Sequence, residues 1–321
     1  MADSIDIISI GEGMIEFSAN ESLTYTPTLN KSYGGDSLNT LITAARLGSK
    51  TGYITRVGND LFKDFLMDSW QSENIDISNV KLMEGYNGLY FISSQKNGEK
   101  EFASYRKKSA ATNLCAEDIP EEYIEKASIV YSTGITQSLS SSAREAVKKA
   151  FSIAKEKQCT VAYDPNYRLK LWSTGEAKEA LDEIIEYIDI ILISGKYDSE
   201  RLFSLTSPDK IIKFFWDRGV SIVAVKSSQN GSFVGYNGEI NYIPMCLTNV
   251  IDTTGAGDAY NGGFLHGIAN GYTPFEAGKL ASIVASFQVQ GVGAVKPIPY
   301  KDQVYNEFKH IDIQAFDASK L

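Results

Sequence analysis

The chain has 321 residues, 43% hydrophobic and 22% charged, with a net charge of −9 at pH 7. That size and balance describe a globular chain able to bury its own core, and the acidic excess excludes the basic footprint of a nucleic-acid-binding protein. Cys115, Cys159 and Cys246 are too scattered for a disulfide framework or a zinc site.

Taken in chain order, β-rich runs alternate with helical spacing. Residues 5–11 read as a strand, 37–47 as a helix, 51–57 as a strand and 61–73 as a helix. The alternation resumes with strands at 129–134, 160–164, 188–194 and 222–227, and helices at 141–157, 175–187 and 208–218. Most of these strands are apolar almost throughout, as expected of parallel strands covered on both faces. Residues 232–236 and 240–243 flank Asn237-Gly238, a type I′ hairpin signal, so an antiparallel edge is expected. The pattern predicts an α/β class: a three-layer, doubly wound sheet in one domain over 1–321.

Two regions, approximately 14–33 and 88–108, interrupt the alternation with short strand-like runs and no helix between them. In the second, 89–93 and 101–105 face each other across Lys96-Asn97-Gly98-Glu99. These regions predict a small β-sheet at one edge of the main sheet, acting as a lid. The first eight residues carry acids where a signal peptide is basic. The longest apolar stretch, 184–193, is broken by Glu186 and Asp189. No membrane partner and a cytoplasmic location are expected.

The segment richest in chemical information is Asp252-Thr253-Thr254-Gly255-Ala256-Gly257-Asp258-Ala259-Tyr260-Asn261-Gly262-Gly263-Phe264. A Gly-rich turn there opens a helix, whose free N–H groups and dipole favour an anion in front of it. Gly255 and Gly257 allow close approach of a phosphate, and Asp258 falls in the first turn beside it. A capped helix start alone would explain an acid at that position. The full thirteen-residue run in an α/β chain favours a base for phosphoryl transfer, a reaction that needs positioning, charge stabilisation and little else. There is no Gly-x-x-x-x-Gly-Lys-Ser/Thr run. Gly11-Glu12-Gly13 lacks the third glycine of a dinucleotide fingerprint. His266 and His310 are too few for zincin or Ser-His-Asp chemistry.

With Tyr33-Gly34-Gly35-Asp36-Ser37-Leu38-Asn39, Ala45-Arg46-Leu47-Gly48 and Asp252 through Gly263, the chain resembles the ribokinase-like (PfkB) carbohydrate kinases along essentially its whole length. Within them it is most similar to the 2-keto-3-deoxygluconate kinases. Gly34 through Thr40, Gly88-Leu89-Tyr90-Phe91-Ile92, Tyr105-Arg106-Lys107, and Asp164-Pro165-Asn166-Tyr167-Arg168 with Leu171-Trp172 carry that likeness. The resemblance implies a central sheet flanked by helices and covered by a β-sheet lid. It also implies ATP with Mg2+, a small sugar acid as substrate, and a homo-oligomer.

By the same resemblance, Gly34, Gly35, Asn39, Tyr90, Tyr105, Arg106 and Arg168 line the substrate pocket with Asp258. Asn166, Lys226, Ser228 and Gly231 attend the nucleotide, and Gly255, Ala256 and Gly257 form the catalytic anion site. A 2-keto-3-deoxy acid has its carboxylate at one end, suited to the Arg106 and Arg168 forks, and its primary hydroxyl at the other, to be phosphorylated at O6. A fructokinase or another keto-sugar kinase is the alternative, followed by a catalytically weak sugar-acid binder. Two positions depart from the family pattern: Ser194 and Tyr197 replace an Asn-x-x-Glu pair, and Ser228 replaces a glycine. The metal ligands are left unassigned.

Overall fold

Isoleucine and valine dominate the buried runs, and their stiff side chains suit a pleated surface. In a computed structural model, which describes residues 4–94, 100–246 and 248–308 and the backbone of 314–315, these runs become strands. They are β1 (Ile5–Ile10), β2 (Met14–Ala19), β3 (Asn30–Gly34), β4 (Thr51–Gly58), β5 (Ile75–Asp76), β6 (Val80–Met83), β7 (Leu89–Ser94) and β8 (Lys100–Tyr105). After them come β9 (Ala127–Thr133), β10 (Thr160–Asp164), β11 (Ile190–Ser194), β12 (Ile222–Lys226), β13 (Ser232–Tyr236), β14 (Glu239–Ile243) and β15 (Gln314–Ala315).

The main sheet runs β15-β14-β13-β12-β11-β10-β9-β1-β4-β5, with β6 also on β4. From β12 to β5 every pairing is parallel. The expected hairpin supplies the antiparallel edge, with Asn237 and Gly238 both at positive φ. Successive strand residues enter opposite cores. Ile191 and Ile193 pack with Val147 and Phe151 of the helix Ser141–Glu156, whereas Ile190 and Leu192 pack on the face holding Leu41, Tyr260 and Phe264. Each such fully buried aliphatic side chain contributes roughly 1.5–3 kcal/mol. The sheet is therefore sandwiched between two helical layers, as predicted.

Strand order reverses between β1 and β9: the chain leaves β1 for β4 on one side and returns to β9 on the other. In open α/β sheets the crevice at such a switch point, outside the carboxyl ends of the strands, is where ligands bind.

The two interrupting regions form a small second sheet, as expected, with four strands ordered β3-β2-β7-β8. β2 and β7 are parallel and therefore pair with each other, while Ile15 on β2 and Leu89 on β7 pack toward the helix-side core. The turn Lys96-Asn97-Gly98-Glu99 lies outside the described residues, as does His310. The helix expected at 175–187 ends at Asp182, and Ile185–Tyr187 is a tighter turn that leaves Ile184 and Ile188 both in the core.

Candidate active site

Four strand ends deliver the polar groups. The turn after β1 brings Glu12, and β10 ends in Asp164 and continues into Asn166 and Arg168. β11 is followed by Asp198, and β12 ends in Lys226. Opposite them two helices begin, Asp36–Arg46 and Ala256–Ala269, each with an acid in its first turn.

The helix Ala256–Ala269 starts on Gly255 at φ 79°, a left-handed conformation that glycine adopts without Cβ strain. The N–H of Gly257 follows at its mouth, whereas that of Ala256 is taken by the Thr253 carbonyl at 3.2 Å, and Asp258 stands in the first turn. Asn39 Nδ2 donates to Asp258 Oδ2 at 2.9 Å. Burial pushes the Asp258 carboxyl up to about 7; the negative charge of Asp36 adds to this, while the Asn39 hydrogen bond and Arg168 oppose it. A carboxylate tuned to neutrality is matched to accepting a proton from an alcohol.

Around Asp258 runs a linked polar ring. Asn166 donates its backbone N–H to Asp164 Oδ1 at 3.0 Å and its Nδ2 to Asp36 Oδ2 at 3.1 Å. Asp164 Oδ2 accepts from Lys226 Nζ at 2.7 Å and from Asn261 Nδ2 at 2.6 Å. Lys226 also donates to Asn261 Oδ1 at 3.0 Å, which ties β12 to the helix carrying Asp258. A Cβ on Gly257 would lie 3.9 Å from Lys226 Nζ, so the lysine charge borders the helix mouth. Burial and neighbouring acids also raise Asp36, and burial with Asp164 lifts Asp198 to about 6.

The expected substrate residues divide. Gly34, Tyr90 and Asn39 meet: a Cβ on Gly34 would fall 2.5 Å from the Tyr90 hydroxyl and 3.4 Å from Asn39 Oδ1, so only glycine fits there. Gly35 forms the N-cap of the helix that carries Asn39. Arg168 is exposed and contributes to the field at Asp258.

Arg106 is engaged elsewhere. Its Nε donates to Glu12 Oε2 at 2.8 Å and its Nη2 to the same oxygen, because a buried carboxylate demands a charged partner. Ser109 supports Glu12 Oε1 at 3.1 Å. Tyr105 does not point with Tyr90. The register sets Ser104 opposite Tyr90, so the next residue faces the other way; Tyr105 packs edge-on to Phe91 and is 64% exposed.

In the nucleotide segment, Ser228 sits at φ 52°, which shows why a glycine is usual there. Gly231 closes the same turn ahead of β13. Asn166, expected at the nucleotide, is committed to the two carboxylates above.

Sequence reading missed several site groups. Glu12 was inspected only as part of a failed glycine fingerprint, and Asp36 only as a motif letter. Glu16, which accepts from the Tyr90 hydroxyl at 2.6 Å, was not singled out. The available signal was position: acids just past a strand end or in a first helical turn, at the switch point.

Among the described residues no three His, Cys, Asp or Glu side chains gather into a metal cage, and no helix is long and apolar enough to cross a membrane.

Comparison with known proteins bears on the family and the fold. The model for the pfkB family of carbohydrate kinases matches residues 4–301. The 2-dehydro-3-deoxygluconokinases of Bacillus subtilis and Thermoproteus tenax are 28% and 31% identical, the alignments covering 94% and 90% of this chain and 94% and 89% of theirs. An ATP-dependent 6-phosphofructokinase of Thermoanaerobacterium thermosaccharolyticum is 28% identical, over 93% of this chain and 92% of its own. An uncharacterized sugar kinase of Pyrococcus horikoshii, solved in complex with ATP, superposes with a TM-score of 0.77 at 28% identity, covering 92% of this chain and 96% of that one.

Proposed function

The chain belongs to the pfkB family of carbohydrate kinases, and on that premise we propose that it transfers the γ-phosphoryl group of ATP to the O6 hydroxyl of 2-keto-3-deoxygluconate, with Asp258 as general base. The observation that carries this reading is the position and tuning of Asp258: in the first turn of a helix opened by left-handed Gly255, its carboxyl near neutrality, with one oxygen fixed by Asn39.

The acceptor hydroxyl lies against Asp258 Oδ1 and gives up its proton there as its oxygen bonds to the γ-phosphorus. The bond from that phosphorus to the β–γ bridging oxygen breaks, and ADP leaves. The N–H groups of Gly255 and Gly257 face the negative charge that builds on the moving group, while the Ala256 N–H is held by the Thr253 carbonyl; Lys226 adds its charge at the same mouth. Magnesium would arrive on the phosphates of ATP and would supply charge neutralisation there. Gly34, Asn39 and Tyr90 hold the sugar, and Arg168 meets its carboxylate end.

One observation favours a second reading. Glu12 neutralises Arg106, leaving Arg168 to face an acid alone, and that arrangement also suits a neutral or phosphorylated keto sugar. A coupled assay with 2-keto-3-deoxygluconate, fructose and fructose 6-phosphate separates them. The sugar acid is expected to give the highest kcat/KM; equal turnover of fructose, or preference for fructose 6-phosphate, would replace the assignment. Arg106→Ala is expected to cost sugar acids and fructose alike, because the arginine serves Glu12. A loss confined to sugar acids would show that it also meets the carboxylate.

A further inference from the structure

Gln288, the last residue of the helix Pro274–Gln288, is completely buried and reaches the backbone just ahead of Gly255. Its Nε2 donates to three backbone carbonyls: Thr254 at 2.7 Å, Gly293 at 3.0 Å and Ala294 at 3.2 Å. Only the nitrogen end of the amide can face three acceptors, so its orientation is fixed by its partners. The carboxylate of Asp252 completes the arrangement from the donor side. It accepts the N–H of Thr254 at 3.0 Å on Oδ1 and the N–H of Gly293 at 3.0 Å on Oδ2. Residues 254 and 293 thus have both backbone dipoles fastened, N–H to Asp252 and C=O to Gln288.

The Thr254 carbonyl shares its peptide plane with the N–H of Gly255. The plane is rigid and trans, so the two bonds point in opposite directions. A carbonyl drawn inward onto Gln288 turns the Gly255 N–H outward, toward the cleft. Ala294, whose carbonyl Gln288 also holds, is the residue against which Gly255 packs: a Cβ on Gly255 would lie 3.0 Å from both Ala294 Cα and O. We propose that Gln288 is a positioning residue for phosphoryl transfer, aiming the first N–H of the anion site by clamping the peptide behind it. This inference rests on the reading of Gly255–Gly257 as the site of the transferred phosphate.

Without the amide, three buried carbonyls lose their donor and the 254–255 peptide is free to rotate. Gln288→Met keeps the volume and removes the donor. It is expected to lower kcat by about 10- to 100-fold, because one anion-site donor is misdirected, with KM for the sugar unchanged within about twofold. Gln288→Glu is isosteric. Its carboxylate repels the carbonyls at pH 8, whereas its protonated form donates to them, so kcat relative to wild type should rise as pH falls from 8 to 6. If Gln288→Met fails to fold, judged by near-ultraviolet circular dichroism, the Gln288→Glu ratio decides alone. A Gln288→Glu ratio independent of pH, or wild-type kcat in folded Gln288→Met, overturns the proposal. Gly255→Ala in the same assay separates the two readings. Full turnover in that variant would remove the phosphate site itself, whereas its loss alongside active Gln288 variants would remove only the positioning role.

Discussion

Asp258→Asn is expected to lower kcat by a factor on the order of 10²–10⁴, with KM for the sugar largely kept. The amide has the carboxylate's shape and can still meet Asn39, but it cannot take up the acceptor proton. Steady-state kinetics measure the loss directly, and unchanged turnover would remove the base assignment. The same substitution should also stabilise the fold above neutrality. The folded carboxyl titrates near 7 against a usual 3.8, so the folded chain holds the proton more tightly than the unfolded chain. The stability this supplies is fully present below about pH 4 and is lost as pH rises through about 7. Above that, a buried ionised carboxylate opposes folding and asparagine relieves it. Thermal unfolding at pH 8 should show a higher Tm for the variant, with the gain shrinking toward pH 5.

Gly255→Ala is expected to be the other severe lesion. At φ 79° an L-residue pays roughly 1–2 kcal/mol in backbone strain, and its Cβ would press on Ala294 at 3.0 Å. Relief comes only by moving the helix start or the 293–294 loop, either of which misaligns the anion site. A kcat loss on the order of 10² is expected, together with a lower Tm. Gly257→Ala provides the contrast. Its Cβ meets nothing closer than Lys226 Nζ at 3.9 Å, so the fold should keep its Tm, and any loss should appear where phosphate must approach the backbone. Equal Tm losses in both variants would contradict this division.

Much of the fold was legible because its determinants are local. Apolar runs of five to eight residues, bounded by glycines and acids, announced the parallel strands, and Asn237-Gly238 announced the hairpin. The helix start at Gly255–Asp258 was equally plain, since glycine placement and an acid in the first turn are properties of consecutive residues. The lid was visible as an interruption of the alternation. The parallel pairing of β2 with β7 inside it was not, because strand partnership depends on contacts between residues as distant as Glu16 and Tyr90. The same limit applies to the site. Sequence can nominate Arg106 and Asn166 as binding groups, but only the folded chain shows Glu12 and Asp36 meeting them. Period-2 alternation within β8 would have warned that Tyr105 faces away from Tyr90 once the strand pairing was known. Gln288 gave no local signal at all, since it acts on a loop more than thirty residues upstream.

The pH dependence of kcat/KM for the sugar acid, measured at saturating ATP and constant free Mg2+, bears most directly on Asp258 as the base. Wild-type enzyme should lose about tenfold per pH unit below roughly pH 7 as the carboxyl takes up a proton, and the residual activity of Asp258→Asn should lack that limb. A wild-type profile flat from pH 5.5 to 8, or the same acidic limb retained in Asp258→Asn, would contradict it.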